Sequence, residues 1–397
     1  MSHKKYFYNH VAQTSEEPMG LEIDYAEGPY IFTLDGKRYV DFISGIAVSS
    51  LGHRHPAVVD AVKNQVDRHL HVMVYGEFIQ EPQSKYARLL TSQLPPTLDR
   101  VYFVNSGTEA TEGALKLSKK YTGRHKFVAF RDGYHGDTQG SLSVTGRDVY
   151  RDPYLPLLPD VHFLDFNNYG GLDTIDEDTA AVIMEPIQGE GGIIPADKKW
   201  LQKVRDICTE KEALLIFDEI QTGFYRTGTL FAFQDYEVVP DIMCLAKAMG
   251  GGMPMGAFVS SSEIFETFKH NPPLNHVTTF GGHPVSCAAA YATLKELLNE
   301  DYAAKAKRIE STVKETLKGS GIVEIRGKGA MLGMELANKE LTQKVVEHCL
   351  DQGIILGWTL HSQTLVRLAP PLIIDMDTLN ETLQTILQSV SKFADRS

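Results

Sequence analysis

Residues 242–252 read Ile-Met-Cys-Leu-Ala-Lys-Ala-Met-Gly-Gly-Gly, an apolar run that ends in a lysine and three glycines. Such a run predicts a buried strand, and the glycines allow close backbone approach where it ends. Residues 214–223 read Leu-Leu-Ile-Phe-Asp-Glu-Ile-Gln-Thr-Gly, a second apolar run, which ends in an aspartate. Strands that are apolar throughout are typical of a parallel sheet covered on both faces. The two stretches therefore predict an α/β fold with Lys247 and Asp218 at neighbouring strand ends.

Further apolar runs predict the rest of this sheet, at residues 101–104, 127–130 and 181–184. The carboxyl ends of such strands are where ligands bind in α/β proteins. Before the sheet begins, Asp35-Gly36 between alternating apolar residues predicts a β-hairpin.

The C-terminal part of the chain predicts a smaller α+β domain. Residues 322–325, 330–336 and 364–368 have the composition of strands, and apolar residues at helical spacing follow from residue 376. We therefore predict three segments. Residues 1–50 join the small domain, residues 51–285 form the large domain, and residues 286–397 form the small domain.

Bulk composition narrows the functional class. The net charge of −12 over 397 residues argues against nucleic acids and anionic membranes as partners. No stretch reaches the ~20 apolar residues that span a bilayer, and the first residues lack the apolar core of a signal peptide. We therefore expect a cytoplasmic protein. The cysteines are too scattered for a zinc site or a disulfide framework, so we expect buried free thiols and no metal at Cys208, Cys244, Cys287 and Cys349.

Lys247 and Asp218 together indicate a specific chemistry. A lysine delivered into a glycine-lined site can form a Schiff base with an aldehyde, and a carboxylate can hold a pyridinium proton. Pyridoxal 5'-phosphate (PLP) chemistry needs both groups. A surface lysine and a helix-capping aspartate would be simpler explanations, but they do not explain why the two residues occur together.

A phosphate site is predicted after the strand at residues 101–104. Ser106, Gly107 and Thr108 open a helix, where free backbone amides and two hydroxyls can bind an anion. Ordinary helix capping explains the same residues about equally well. Tyr134 and His135 lie in a glycine-flanked loop, where an aromatic ring can cover a cofactor ring or simply pack.

Two further residues suggest a substrate site. Glu190 follows a predicted strand within Glu-Pro-Ile-Gln-Gly-Glu-Gly-Gly (185–192), so it lies where ligands bind rather than on a random turn. Arg367 has apolar neighbours on a strand of the small domain, which suits a bidentate carboxylate binder or a structural ion pair.

Taken in order, these motifs resemble the class III aminotransferases, which are fold-type I PLP enzymes, and in particular the acetylornithine/ornithine branch. The similarity runs from about Gly28 nearly to the end of the chain. It is carried by Ser106-Gly-Thr-Glu-Ala, Tyr134-His-Gly, Glu185-Pro-Ile-Gln-Gly-Glu-Gly-Gly, Asp218-Glu-Ile-Gln-Thr-Gly, Lys247-Ala-Met-Gly-Gly-Gly, Thr279-Phe-Gly-Gly and Arg367-Leu-Ala-Pro-Pro-Leu.

The resemblance implies roles around the cofactor ring and a sheet of the seven-stranded, mostly parallel type. Lys247 would form the Schiff base and move the proton during transfer. Asp218 would keep the pyridine nitrogen protonated. Tyr134 and Ile220 would enclose the ring, and Gln221 would bond its 3-hydroxyl.

The resemblance also implies how phosphate and substrate are held. Gly107 and Thr108 would bind the phosphate, with Thr279 of the second subunit of a homodimer that shares its active sites. Arg367 would clamp the oxo-acid carboxylate, and Glu190 would pair with Arg367 while the amine is bound. The expected reaction moves the terminal amino group of an ω-amino acid to 2-oxoglutarate with ping-pong kinetics.

One position departs from that branch. Many members carry an arginine after the aromatic-x-glycine loop, whereas this chain has Asp137, which prefers an amine to a carboxylate. A similar Tyr-His-Gly-Asp-Thr occurs in diaminopelargonate-forming members. A diamine or diaminopelargonate-type donor is therefore the second substrate class to consider. An aminomutase or racemase on the same fold is a further alternative. A non-catalytic binding or regulatory protein that merely keeps the fold is another, and the intact Lys247–Asp218 pair argues against it.

Overall fold

The computed structural model of the chain describes residues 3–394. Its strands are β1 Ile23–Glu27, β2 Tyr30–Thr33, β3 Arg38–Asp41, β4 Arg100–Val104, β5 Lys126–Phe130, β6 Val161–Leu164, β7 Thr179–Met184, β8 Ile187–Gln188, β9 Ile194–Pro195, β10 Leu214–Asp218, β11 Ile242–Leu245, β12 Gly256–Ser260, β13 Ile322–Lys328, β14 Met331–Leu336, β15 Ile354–Ile355, β16 Gly357–Trp358 and β17 Leu365–Leu368.

The helices alternate with these strands through the middle of the chain. They are α1 His3–His10, α2 Ser44–Ala47, α3 Pro56–Arg68, α4 Glu81–Thr91, α5 Gly107–Thr122, α6 Gln139–Ser143, α7 Asp148–Arg151, α8 Lys198–Lys211, α9 Phe233–Tyr236, α10 Ser262–Glu266, α11 Pro284–Asn299, α12 Tyr302–Thr316, α13 Lys339–Asp351 and α14 Met376–Ala394. In the part of the chain that the structure covers, no helix has the length and apolar character needed to cross a bilayer.

A seven-stranded sheet forms the centre of the molecule, in the order β4-β12-β11-β10-β7-β5-β6. The pairs β11–β10, β10–β7, β7–β5 and β5–β6 are parallel. Strand β12 runs antiparallel to both of its neighbours. The predicted α/β class and the mostly parallel sheet are confirmed.

The sheet is covered on both faces, which explains why its strands are apolar at every position. In β10, Leu215 and Phe217 pack into one core cluster, whereas Leu214 and Ile216 pack into another. Side chains alternate across a strand, so the two clusters lie on opposite faces of the sheet. The four cysteines contribute to these interiors as buried thiols.

The predicted hairpin is confirmed, because β2 and β3 pair antiparallel. Strand β15 adds to the same sheet, parallel to β3. The predicted C-terminal strands β13, β14 and β17 form one sheet with β16. The segment boundaries at residues 50/51 and 285/286 stay a prediction.

Candidate active site

A cavity of about 620 Å³ opens beyond the carboxyl ends of the parallel strands. Loops after β4, β5, β10 and β11 contribute its walls, as expected for an α/β sheet. The cavity brings together ten of the predicted site residues, which are Ser106, Gly107, Thr108, Tyr134, His135, Asp137, Asp218, Ile220, Gln221 and Lys247. Glu190, Arg367 and Thr279 are not among its lining residues. A larger cavity of about 950 Å³ lies elsewhere, near Tyr121 and Arg205, and contains none of these groups.

Lys247 lies two residues beyond the end of β11 and lines this cavity. Its φ of 48° lies in the left-handed region, which is uncommon for a residue with a side chain. Burial lowers the pKa of the Lys247 amine, and the positive charge of Arg367 lowers it further. The carboxylates of Glu190 and Asp218 act in the opposite direction but do not prevail. The amine is therefore more readily deprotonated than that of an exposed lysine.

Asp218 ends β10, and its carboxylate is held by two fixed donors. His135 Nδ1 lies 2.8 Å from Asp218 Oδ2, and the Ile220 backbone amide donates to Oδ1 at 3.0 Å. Burial alone would lower the pKa of His135, but the hydrogen bond and charge of Asp218 raise it overall. His135 therefore orients the Asp218 carboxylate through Nδ1.

The start of α5 forms an anion cradle. Ser106 caps the helix, because its hydroxyl accepts from the Glu109 amide at 3.3 Å. Gly107 has no space for a side chain, since a Cβ there would lie 2.8 Å from Ile220 Cδ1. The Thr108 hydroxyl is 2.7 Å from that of Thr138 and is already hydrogen-bonded within the protein. The free backbone amides of the first helical turn are therefore the main anion donors here.

Tyr134 and Asp137 interact across the cavity wall. The Tyr134 hydroxyl donates to Asp137 Oδ2 at 2.8 Å, and the Tyr134 amide donates to Glu185 Oε2 at 3.1 Å. Burial and the nearby carboxylate of Asp137 raise the pKa of the Tyr134 hydroxyl, which stays protonated. Burial raises the pKa of Glu185 to about 7. Among the described residues, the Asp137 carboxylate accepts one hydrogen bond, from Tyr134, so it can also accept a hydrogen bond from a ligand.

Glu190 and Arg367 form a buried ion pair beside the cavity, through Glu190 Oε1 and Arg367 Nη2. Glu190 Oε2 accepts from the backbone amide of Leu360 at 2.8 Å. Burial raises the pKa of Glu190, but the charge of Arg367 and the Leu360 amide outweigh it and lower the pKa overall. Within residues 3–394, the buried Arg367 Nε has no hydrogen-bond partner.

Thr279 lies on an exposed loop and is not among the residues that line this cavity. The hydroxyl of its neighbour Thr278 accepts from the Gly281 amide at 3.0 Å and from Asn105 Nδ2 at 3.4 Å. Through Thr278, this loop contacts the residue that precedes the cradle at Ser106–Thr108.

Sequence reasoning did not select several residues that the fold brings into the site. Thr138 and Glu185 line the cavity, and the Leu360 amide contacts Glu190. Glu185 was visible at the end of a predicted strand, in the same motif as Glu190, and that position was a usable signal. A backbone amide such as that of Leu360 leaves no signature in the sequence.

Comparison with known proteins identifies the family. The sequence profile described as aminotransferase class-III matches residues 11–390. The chain belongs to this family. The chain is 41% identical to the acetylornithine aminotransferase of Methanopyrus kandleri, and the match covers 92% of each chain.

Solved structures of other aminotransferases have the same fold. The ornithine aminotransferase of Toxoplasma gondii, described with PLP at its active site, superposes with a TM-score of 0.91 at 29% identity, covering 99% of this chain and 94% of that one. The adenosylmethionine-8-amino-7-oxononanoate aminotransferase of Methanocaldococcus jannaschii gives a TM-score of 0.89 at 28% identity, covering 98% of both chains. This class-III aminotransferase therefore has the fold-type I architecture of PLP transaminases.

PLP is the cofactor of this class-III aminotransferase, and the cavity fits it. The buried Gln221 Oε1 has no hydrogen-bond partner and can accept from a ring hydroxyl. The cradle at the start of α5 offers amides to a phosphate, and the Lys247 amine has a lowered pKa. The chain is a transaminase that takes a small-molecule amino donor and an oxo-acid acceptor.

Proposed function

We propose that this enzyme moves the terminal amino group of an ω-amino acid of the acetylornithine or ornithine type to 2-oxoglutarate, by a ping-pong mechanism. The buried Glu190–Arg367 pair carries this proposal. The relative from Methanopyrus kandleri, named an acetylornithine aminotransferase, supports the same substrate class.

The ion pair suits a site that must bind two different substrates in turn. The terminal carbon of an ω-amino donor bears no carboxylate, so Glu190 can stay on Arg367 while the donor is bound. An oxo-acid has a carboxylate beside the reacting carbon, and this carboxylate needs Arg367 as its counter-ion. Arg367 Nε has no partner among the described residues, so its N–H can donate to such a carboxylate beside Nη2.

The cavity residues have distinct roles in holding PLP, which when bound supplies an aldehyde and an electron-withdrawing ring. Asp218 would bind the ring nitrogen and keep it protonated, while His135 holds the Asp218 carboxylate in place. Tyr134 and Ile220 would enclose the ring, and Gln221 would accept from its hydroxyl. The amides at Ser106–Thr108 would bind the phosphate.

Lys247 moves the proton. Burial and the positive charge of Arg367 keep the pKa of its amine below the usual lysine value, although three nearby carboxylates raise it. A lowered pKa favours the neutral amine, so Nζ can accept a proton from the substrate carbon and deliver it again, as a general base and acid must.

A diamine or a diaminopelargonate-type donor is the second candidate, and Asp137 favours it. The carboxylate of Asp137 lines the cavity where an ammonium group of the donor can meet it. The similarity to the M. jannaschii enzyme supports this second candidate at the level of the whole fold.

We also propose a homodimer with shared active sites. Exposed apolar side chains cluster on two segments, residues 70–79 and residues 277–280, and the second segment contains Thr279. They are Leu70, Val72, Phe78, Ile79, Val277 and Phe280. The His71 and Phe280 rings, 4.9 Å apart, join the two segments into one surface. A second copy on this surface would bury it and carry Thr279 to the neighbouring cradle.

A donor panel tests the proposed substrate class. Acetylornithine, ornithine, 4-aminobutyrate and a diamine are each offered with 2-oxoglutarate or pyruvate, and Lys247→Ala is the inactive control. The highest kcat/KM is expected for acetylornithine or ornithine with 2-oxoglutarate. A clear preference for the diamine would contradict the first candidate and support the second. In that case Asp137→Arg should shift turnover toward donors that carry a carboxylate.

A further inference from the structure

The carboxylate of Glu190 has a different partner on each oxygen. Oε1 pairs with Arg367 Nη2, and Oε2 accepts from the Leu360 backbone amide at 2.8 Å. In the proposed function, on which this inference rests, Glu190 leaves Arg367 when an oxo-acid binds. Its departure frees two donors side by side, the guanidinium of Arg367 and the amide of Leu360.

Leaving these donors unpaired is unfavourable. Arg367 is buried, and its Nε already lacks an acceptor. A buried donor without an acceptor destabilises the state that contains it. An incoming carboxylate has two oxygens in the same arrangement as those of Glu190, so it can satisfy both donors at once.

The Leu360 amide is held in place independently of Glu190. The Leu360 carbonyl accepts from the Tyr150 hydroxyl at 2.8 Å, and His361 Nδ1 lies 3.0 Å from the Asp132 carbonyl. The Tyr150 and His361 rings also stack, with centroids 5.5 Å apart. The amide therefore keeps its position when Glu190 moves away.

We propose that the backbone N–H of Leu360 is a second anchor for the substrate carboxylate. It bonds to Glu190 while the amino donor is bound, and to the carboxylate of the oxo-acid once Glu190 has been displaced. The Leu360 side chain is 53% exposed and takes no part in this exchange.

Removal of this N–H tests the proposal. Leu360→Pro lacks the donor, and Leu360→Ala is the matched control that keeps it. Each change is made in the native holoenzyme and in the Glu190→Ala variant. Titration calorimetry then measures the binding of glutarate, a dicarboxylate that has neither an amine nor an oxo group. In the native background, Leu360→Pro should hardly alter the dissociation constant of glutarate. The substitution removes the amide's bond to Glu190 from the free enzyme and its bond to glutarate from the complex, so the two losses cancel. In Glu190→Ala it should weaken binding about tenfold, the scale of one hydrogen bond to a charged group.

Other patterns would overturn the proposal. Tighter binding in the native background with no change in Glu190→Ala would mean that the amide serves Glu190 alone. No change in either background would mean that glutarate does not use it. If Leu360→Pro fails to fold, Tyr150→Phe in Glu190→Ala replaces it, and unaltered glutarate binding there would contradict the proposal. If Arg367→Ala leaves glutarate binding intact, the proposed function itself fails.

Discussion

His135 and Asp218 form a buried pair whose charge depends on pH. The bond to Asp218 raises the pKa of His135 although burial opposes it. An imidazole with a folded-state pKa above its unfolded value of about 6.5 binds a proton more strongly in the native state. Its stabilising contribution is therefore fully present below pH 6.5 and is lost as pH rises through the folded-state pKa.

We expect His135→Asn to destabilise the protein more at low pH than at high pH. Asparagine keeps a donor for Asp218 Oδ2 but cannot take up a proton. Thermal unfolding of the cofactor-free protein at pH 5.5 and pH 8.5 measures this difference. A gap between the wild type and the variant that is constant with pH would show that the pKa of His135 is the same in the folded and unfolded states.

Single residues were the most predictable part of the site. Asp218 ends one apolar strand and Lys247 lies two residues beyond another. Parallel strands place their carboxyl ends along one edge, so the proximity of the two residues followed from the sequence pattern alone. The bond from Tyr134 to Asp137 was not predicted, because it depends on how the loop after β5 folds back. Thr108 shows the same limit, since its hydroxyl is engaged by Thr138 from a separate loop.

Two strands of the central sheet, β6 and β12, were not predicted from the sequence, and β12 shows one reason. It reads Gly-Ala-Phe-Val-Ser, and its small residues do not resemble a buried strand. The close approach of α5 explains them in part: a Cβ on Gly256 would lie 2.2 Å from the Ser106 carbonyl oxygen. The requirement for glycine comes from packing between elements, which a local pattern does not contain.

The contact between α5 and β12 leads to a stability prediction. Alanine at Gly113 would gain about 0.5–1 kcal/mol from helix propensity. Its Cβ, however, would lie 2.3 Å from Cε1 of the buried Phe258 ring, and overpacking of this kind costs about 1–3 kcal/mol. We therefore expect Gly113→Ala to lower the free energy of unfolding, measured by denaturant titration.

A second variant provides the control for this prediction. Phe258→Leu removes the ring that the new methyl group meets, so Gly113→Ala should cost less in that background. Equal losses in both backgrounds would mean that the ring is not the cause.

At the scale of the whole molecule, the surface formed by segments 70–79 and 277–280 should hold two copies together. Ile79 is 98% exposed, and a lysine there would place a charge in the proposed interface. We expect Ile79→Lys to yield the monomer mass by light scattering and to retain PLP less well. Val323→Lys, at a site 67% exposed on β13, is the matched control and should leave the assembly unchanged. A dimer of normal cofactor content in Ile79→Lys would contradict the shared-site proposal.

The pairing of β3 with β15 has a consequence for biosynthesis. Val40 is opposite Ile354, so roughly three hundred residues must be made after β3 before its partner exists. At translation rates of about 5–20 residues per second, the backbone groups of β3 that will bond to β15 stay unpaired in the nascent chain for about 15–60 s. The yield of folded protein should therefore depend on ribosome-associated chaperones that shield extended segments. The thermal stability of the folded enzyme does not reveal this dependence.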